Sequence, residues 1–166
     1  MIRAARERKA RANAGILAED IMVRRLHTAK PDQSVQAVVN ALIKHRISGM
    51  PVVDAAGKLV GMISEKDCIN TLIRAVHDRM PPSHVSDVMT TPKTIGPGAH
   101  LMTIAHHFST LPLRRLPVVD GEGKLVGQIS RRDLLKAARQ IFDHSPSREV
   151  AVLYLSALER DAPPLS

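Results

Sequence analysis

The segment MPVVDAAGKLVGMISEKDCI, from Met50 to Ile69, returns 66 residues later as LPVVDGEGKLVGQISRRDLL, from Leu116 to Leu135. Twelve of the twenty positions are identical, and no gap is needed. A match of that density marks a duplicated structural unit, and a duplication constrains the fold more than composition does. The repeat extends upstream. Asp20-Ile21-Met22 matches Asp87-Val88-Met89, with one residue gained or lost near Pro31 and Pro97. Each copy therefore covers about fifty residues, roughly 20–72 and 87–139.

Within a copy the apolar periods change in a fixed order. His27-Thr28 and Lys93-Thr94-Ile95 are short strand candidates. Ser34 to Arg46 follows, with Val35, Val38, Val39, Leu42 and Ile43 at helical spacing; Leu101, Ile104, Ala105 and Phe108 repeat that stripe. Pro51-Val52-Val53 and Leu59 to Ile63 predict two strands around the turn Asp54-Ala55-Ala56-Gly57, and Asp120-Gly121-Glu122-Gly123 turns the second pair. Ser64 and Ser130 each open a further helix. The unit is β-α-β-β-α, an α/β (α+β-like) class. One such unit exposes too much apolar surface to stand alone, and two packed together bury it.

The expected organisation is a basic N-terminal arm or helix over 1–18, repeat 1 over 19–80, a linker over 81–85, repeat 2 over 86–143, and a C-terminal helix and tail over 144–166. Pro81 and Pro82 stop the helix before the linker. Val150, Leu153, Tyr154 and Leu158 give the last helix its apolar spacing. Arg3, Arg6, Arg8, Lys9 and Arg11 crowd the first eleven residues and carry much of the formal net charge of +8. Such a balance favours anionic partners. Aromatic residues are only 2% and Trp is absent, so base-stacking platforms are missing and the core must be aliphatic. A single cysteine, Cys68, excludes an intramolecular disulfide and fits a reducing, cytoplasmic setting. No signal-peptide pattern or run of about 20 apolar residues is present, so no membrane association is expected.

The chemistry-bearing motif is Gly-x-Ile-Ser-x-x-Asp, from Gly61 to Asp67 and again from Gly127 to Asp133. The Ser stands where a strand meets a helix N-terminus, a natural seat for an anion or hydroxyl. The Asp one turn later offers two acceptor oxygens, which match the two donors of a ribose diol. The plainer role is a capping box, in which Ser caps the helix and the acid reaches back. Asp is shorter than the Glu or Gln that box prefers, and the two roles are compatible.

Taken together, the PVVD segments, the Gly-Lys-Leu-Val-Gly strands and the doubled Ser-x-x-Asp motifs resemble the CBS domain, arranged as a tandem pair or Bateman module. The resemblance covers roughly residues 20–139. It implies that the two repeats pack with pseudo-two-fold symmetry and leave two clefts between them, which bind AMP, ADP or ATP, and less often NAD or S-adenosylmethionine. One cleft would combine Ser130 and Asp133 with Thr28, Ile47 and Ser48. The other would combine Ser64 and Asp67 with Thr94, Arg114 and Arg115. Arg114 and Arg115 replace Ser48 and Gly49 of the first copy and suit phosphate, whereas Ser48-Gly49 would admit a ligand close to the backbone. Unequal affinities are expected. The resemblance also implies a homodimer formed through helices.

His106-His107, adjacent on a helix, face different ways and lack the spacing of a metal pair. Cys68 and the seven Met residues read as core. The expected function is a free-standing, non-catalytic sensor of an adenosyl nucleotide, with no catalytic cofactor, acting in trans on an effector protein. The alternatives are a nucleic-acid binder using the basic arm and a purely structural dimerisation module.

Overall fold

Ser34 starts the first long helix as its sequence predicts. Its hydroxyl accepts a hydrogen bond from the Ala37 amide at 3.2 Å, which satisfies one of the four unpaired donors at a helix start. The structure, a computed structural model, describes residues 15–78 and 84–143, with no side chains described for 78 and 140–143. Residues 1–14 of the basic arm, most of the linker and the expected C-terminal helix lie outside the described residues.

The elements run in the order α1 (Ala18–Ile21), α2 (Val35–His45), β1 (Gly49–Val53), β2 (Leu59–Ser64), α3 (Glu65–Asp78), α4 (Val85–Val88), α5 (Leu101–Thr110), β3 (Arg115–Val119), β4 (Leu125–Ser130) and α6 (Arg131–Asp143). This is the expected mixed α/β order in two copies. It adds the one-turn helices α1 and α4, which the short Asp-Ile-Met and Asp-Val-Met anchors do not announce. In each, the Asp accepts from a backbone amide three residues earlier: Leu17 to Asp20 and His84 to Asp87, both at 2.9 Å.

β1 and β2 form an antiparallel hairpin, and β3 and β4 form a second two-stranded sheet. Asp54 Oδ1 accepts from the amides of Ala56 and Lys58, and Gly57 takes a φ of 79° at the turn. Asp120 and Gly123, with a φ of 81°, build the same turn in the second copy. Only a residue without Cβ takes that conformation freely. The expected strand at His27-Thr28 is reduced to a parallel bridge, in which Ala29 bonds to Pro51 and Val53 along the free edge of β1.

The described residues gather into two compact units, and these are interleaved with the sequence repeats. One holds 15–22, 95–116 and 129–143; the other holds 23–78, 84–94 and 117–128. The cause is reciprocal. The leading segment of each copy packs on the body of the other. Ala18 N–H donates to Ala99 O at 2.8 Å in one unit, and Val85 N–H donates to Gln33 O at 2.9 Å in the other. Val85, wholly buried, thereby joins an aliphatic core of Ala29, Val35, Val38, Leu42, Met50, Val52, Ile63 and Cys68. The same exchange completes the sheets. Thr90 pairs with Met62 on the outer edge of β2, and Val23 pairs with Gln128 of β4. The hairpin turns also meet, through Leu59 N–H to Gly123 O and Leu125 N–H to Gly57 O, both 3.1 Å.

The exchange explains Gly61. A Cβ there would lie 2.5 Å from Met89 Sδ, 2.9 Å from its Cγ and 3.1 Å from its Cβ. The thioether end can swing aside, but the Met89 Cβ is fixed by the backbone. Gly61→Ala should therefore cost about 1–3 kcal/mol, the usual penalty for overpacking. In a Met89→Ala background the same change should cost measurably less. Urea midpoints for the four variants of this cycle check the coupling.

Candidate functional site: two strand-to-helix junctions

β2 runs into α3 without a loop, and the junction is held by one side-chain pair. Asp67 Oδ2 accepts from the Ser64 amide at 2.8 Å and from Ser64 Oγ at 2.6 Å. The Asp67 amide lies 3.4 Å from Ser64 Oγ. β4 and α6 repeat the arrangement, with Asp133 Oδ2 at 2.9 Å from the Ser130 amide and 2.6 Å from Ser130 Oγ. Ser-x-x-Asp is thus a working capping box in both copies, with the shorter acid reaching back. Each box uses one carboxylate oxygen. In Asp67 the other oxygen, Oδ1, has no protein partner among the described residues. In Asp133 it faces Lys136 Nζ at 3.9 Å, where the first copy has Asn70. Both Asp side chains are half-buried. Each junction therefore offers a carboxylate oxygen and a capped helix N-terminus to a ligand bearing donors.

Other site candidates fall as follows. Ser64, Asp67, Thr94, Thr28, Ile47 and Ser48 lie in one unit, whereas Ser130, Asp133, Arg114 and Arg115 lie in the other. The Ser48 carbonyl accepts from the Glu65 amide at 3.0 Å, so it braces the α3 start of its own copy. Ile47 is half-buried against the core. Thr28 and Arg114 are exposed, and Thr94 and Arg115 are intermediate. Gly49 faces Ser64 across the hairpin, and a Cβ there would come within 2.9 Å of the Ile63 carbonyl oxygen. The neighbouring strand accounts for that glycine.

Sequence reasoning passed over two features. His27 and His45 stack, with ring centroids 3.7 Å apart and planes inclined by 20°. The stack ties the residue before Thr28 to the end of α2, just ahead of Ile47 and Ser48. Lost hydration, then the charges of His27 and Lys44, hold the His45 imidazole below its usual pKa. Eighteen residues separate the two rings in the chain, so no local pattern marks the pair. The second feature is Gln128, which is buried with Oε1 unpaired, where the first copy has Met62. A buried acceptor without a donor is costly unless something outside the protein supplies one.

His106 and His107 sit 6.4 Å apart at a tilt of 51°, on adjacent helical positions. No group of three or more His, Cys, Asp and Glu that could hold a metal occurs among the described residues. Cys68 is buried, and burial, then the Asp67 charge, push its thiol up. No helix of the described residues is long and apolar enough to cross a membrane.

Comparison with known proteins adds an independent line. The CBS-domain family model matches residues 18–74 and 85–140. The CBS domain-containing protein CBSX1, chloroplastic, of Arabidopsis thaliana is 32% identical, the match covering 70% of this chain and 60% of that protein. The chain thus spans less than two thirds of CBSX1. The crystal structure of CBSX2 in complex with AMP is 33% identical with a TM-score of 0.68, covering 76% of this chain and 98% of that one. The CBS domain pair of protein MJ0100, solved with 5'-methylthioadenosine and S-adenosyl-L-methionine, is 28% identical with a TM-score of 0.64, covering 73% and 94%.

Two outcomes follow from the junction geometry alone. Asp67→Ala removes a cap and should cost about 1 kcal/mol without any ligand, a fall of roughly 2–4 °C in Tm for a chain of this size. Asp67→Asn keeps an oxygen for the cap and should cost less. Thermal melts of the two variants decide it. Cys68 should resist iodoacetamide at pH 7.5 in the folded protein and react fully in urea, because only the thiolate is nucleophilic and burial disfavours it.

Proposed function

We infer from membership of the CBS-domain family, to which this chain belongs, that it is a regulatory module that binds an adenosyl nucleotide. The observation that carries the reading is the doubled Ser–Asp junction. Each keeps a carboxylate oxygen beyond its cap, and a ribose diol supplies donors that such an oxygen accepts. AMP on CBSX2 and the two adenosyl compounds on MJ0100 support the ligand class.

In this proposal one seat combines Ser64 and Asp67 with Thr94, Arg114 and Arg115, and the other combines Ser130 and Asp133 with Thr28, Ile47 and Ser48. The arginines meet phosphate in the first, since a guanidinium fork matches phosphate oxygens. The second is more weakly anionic, because Lys136 attends Asp133, and Gln128 adds a buried acceptor nearby in sequence. The seats are therefore unequal. ATP, ADP and AMP are favoured over NAD and S-adenosylmethionine where Arg114 and Arg115 act. The module has no chemistry of its own. It works as a cytoplasmic homodimer that passes ligand occupancy to an effector protein.

The test is thermal stability with AMP, ADP, ATP, NAD and S-adenosylmethionine in turn. Ligand at about 100 times its Kd adds ~2.7 kcal/mol, which is roughly 5–10 °C here. No shift with any of the five would sink the proposal. Asp67→Asn and Asp133→Asn should each abolish one of two binding steps in calorimetry. Two identical, independent steps in the unaltered protein would contradict unequal seats.

A further inference from the structure

The stacked rings of His27 and His45 bridge two segments that one of the proposed nucleotide seats draws on. Backbone pairing fixes the first segment against β1 from Ala29 onward, where the Ala29 amide donates to Pro51 O at 2.9 Å. Thr28 stands just before that bond, and His27 before Thr28. The second segment leaves α2 abruptly. Arg46 turns into the left-handed region, with a φ of 52°, and the Ile47 amide donates back to Leu42 O at 3.1 Å. Ile47 and Ser48 follow His45 by two and three residues. With centroids 3.7 Å apart and planes inclined by 20°, the two rings join these segments beside the seat residues of each.

The second copy has no such pair. Sixty-six residues on, His27 becomes Lys93 and His45 becomes Leu111. Only the seat that uses Thr28, Ile47 and Ser48 is served by the stack.

Neutral imidazoles stack favourably, but two imidazoliums at that distance repel one another even in water. The surroundings do not offset the repulsion. The charged residues of the two segments, Arg24, Arg25, Lys30, Lys44 and Arg46, are all basic. Of the acids on neighbouring elements, Asp67 and Asp87 are bonded at the starts of α3 and α4, and Glu65 lines the apolar groove with Arg46. Among the described residues neither these acids nor Asp32, in the loop before α2, forms an ion pair with either ring. The lowered pKa of His45 follows, and the charges that act on it are those of His27 and Lys44. A histidine whose pKa is lowered by the fold favours the folded arrangement above its ordinary value. That contribution is lost as the pH falls through the value it has in the fold.

We propose that the His27–His45 stack is a proton-sensitive clamp on this seat: with both rings neutral it holds the Thr28 segment to the Ile47–Ser48 segment and the nucleotide binds, and protonation parts the rings and weakens binding. The inference rests on the adenosyl reading above and adds its regulation by pH. The histidines are positioning residues, and one of the two seats is sensitive while the other is not.

Calorimetric titration of the full chain with AMP at pH 7.5 and pH 5.5 reads the clamp, and far-UV circular dichroism checks that the fold persists at both. AMP loses phosphate charge over the same range, so every comparison is between chains at one pH. The step to follow is the one that Asp133→Asn removes. His27→Phe/His45→Phe keeps two rings that stack and take no proton, and it should match the unaltered chain at pH 7.5. At pH 5.5 the unaltered chain should bind in this step at least about fivefold more weakly than the Phe variant, the lower end of ordinary coupling between sites. His45→Leu installs the residue of the second copy and removes the stack, so it should lose a similar factor already at pH 7.5. The step that Asp67→Asn removes should respond to pH alike in all three chains. Equal responses of the followed step in the unaltered and Phe chains, tighter binding by the unaltered chain at pH 5.5, or full affinity in His45→Leu would each overturn the clamp and leave the adenosyl reading standing. Absence of the followed step with AMP would overturn the clamp and its seat together, while the thermal shifts above judge the adenosyl reading separately.

Discussion

A two-stranded hairpin cannot hold its own in water, and everything in this fold depends on how that shortage is met. The free edge of β1 is taken by Ala29 of the same copy, but the free edge of β2 is taken by Thr90 of the other. Val23 does the same for β4. Backbone pairing across the copies also brings Val85 into an aliphatic core that its own copy does not build. Neither half has a complete sheet or a complete core without a segment lent by the other. The Ser–Asp junctions stand at the ends of β2 and β4, the two strands whose edges are covered in this way.

The capping box shows why a binding residue and a structural residue need not be alternatives. A carboxylate has two oxygens. Oδ2 of Asp67 and Asp133 is spent on the strand-to-helix turn, which also fixes where the second oxygen points. A side chain so pinned loses little rotamer freedom when a ligand arrives, and that saving is the basis of preorganised binding. The environments then diverge by single substitutions, Lys136 for Asn70 and Gln128 for Met62, so the two junctions differ electrostatically while their geometry is nearly the same.

Much of this was legible in the chain. The repeat, both hairpins, their Asp–Gly turns and the long helices follow from apolar periods and turn residues that act locally. Ser34 and Ser64 announced the helix starts they make. What escaped was set by distance. The one-turn helices at Asp20 and Asp87 carry too few residues for a period. The strand expected at His27-Thr28 shrank to one bridge, since only Ala29 reaches the edge of β1. The His27–His45 stack joins residues that no spacing rule connects. Gly49 looked like room for a ligand, yet the Ile63 carbonyl occupies that room. The grouping of the copies into interleaved units could not be read at all, because a leading segment looks the same whether it packs on its own copy or on the other.

The contact of Met89 on Gly61 has a consequence for inheritance. The two residues belong to different copies, yet Gly61 gains a side chain only at a cost while Met89 stands against it. A duplicated gene is ordinarily free to let one copy drift, or to be recombined at the midpoint with a cousin. Here a crossover between the copies would separate Gly61 from the methionine it accommodates and Met62 from the threonine that covers its edge. The two copies are therefore inherited as one locus. Side chains on β2 and β4 diverge where the exchanged segment bonds to backbone alone, as at Met62, paired by Thr90, and Gln128, paired by Val23.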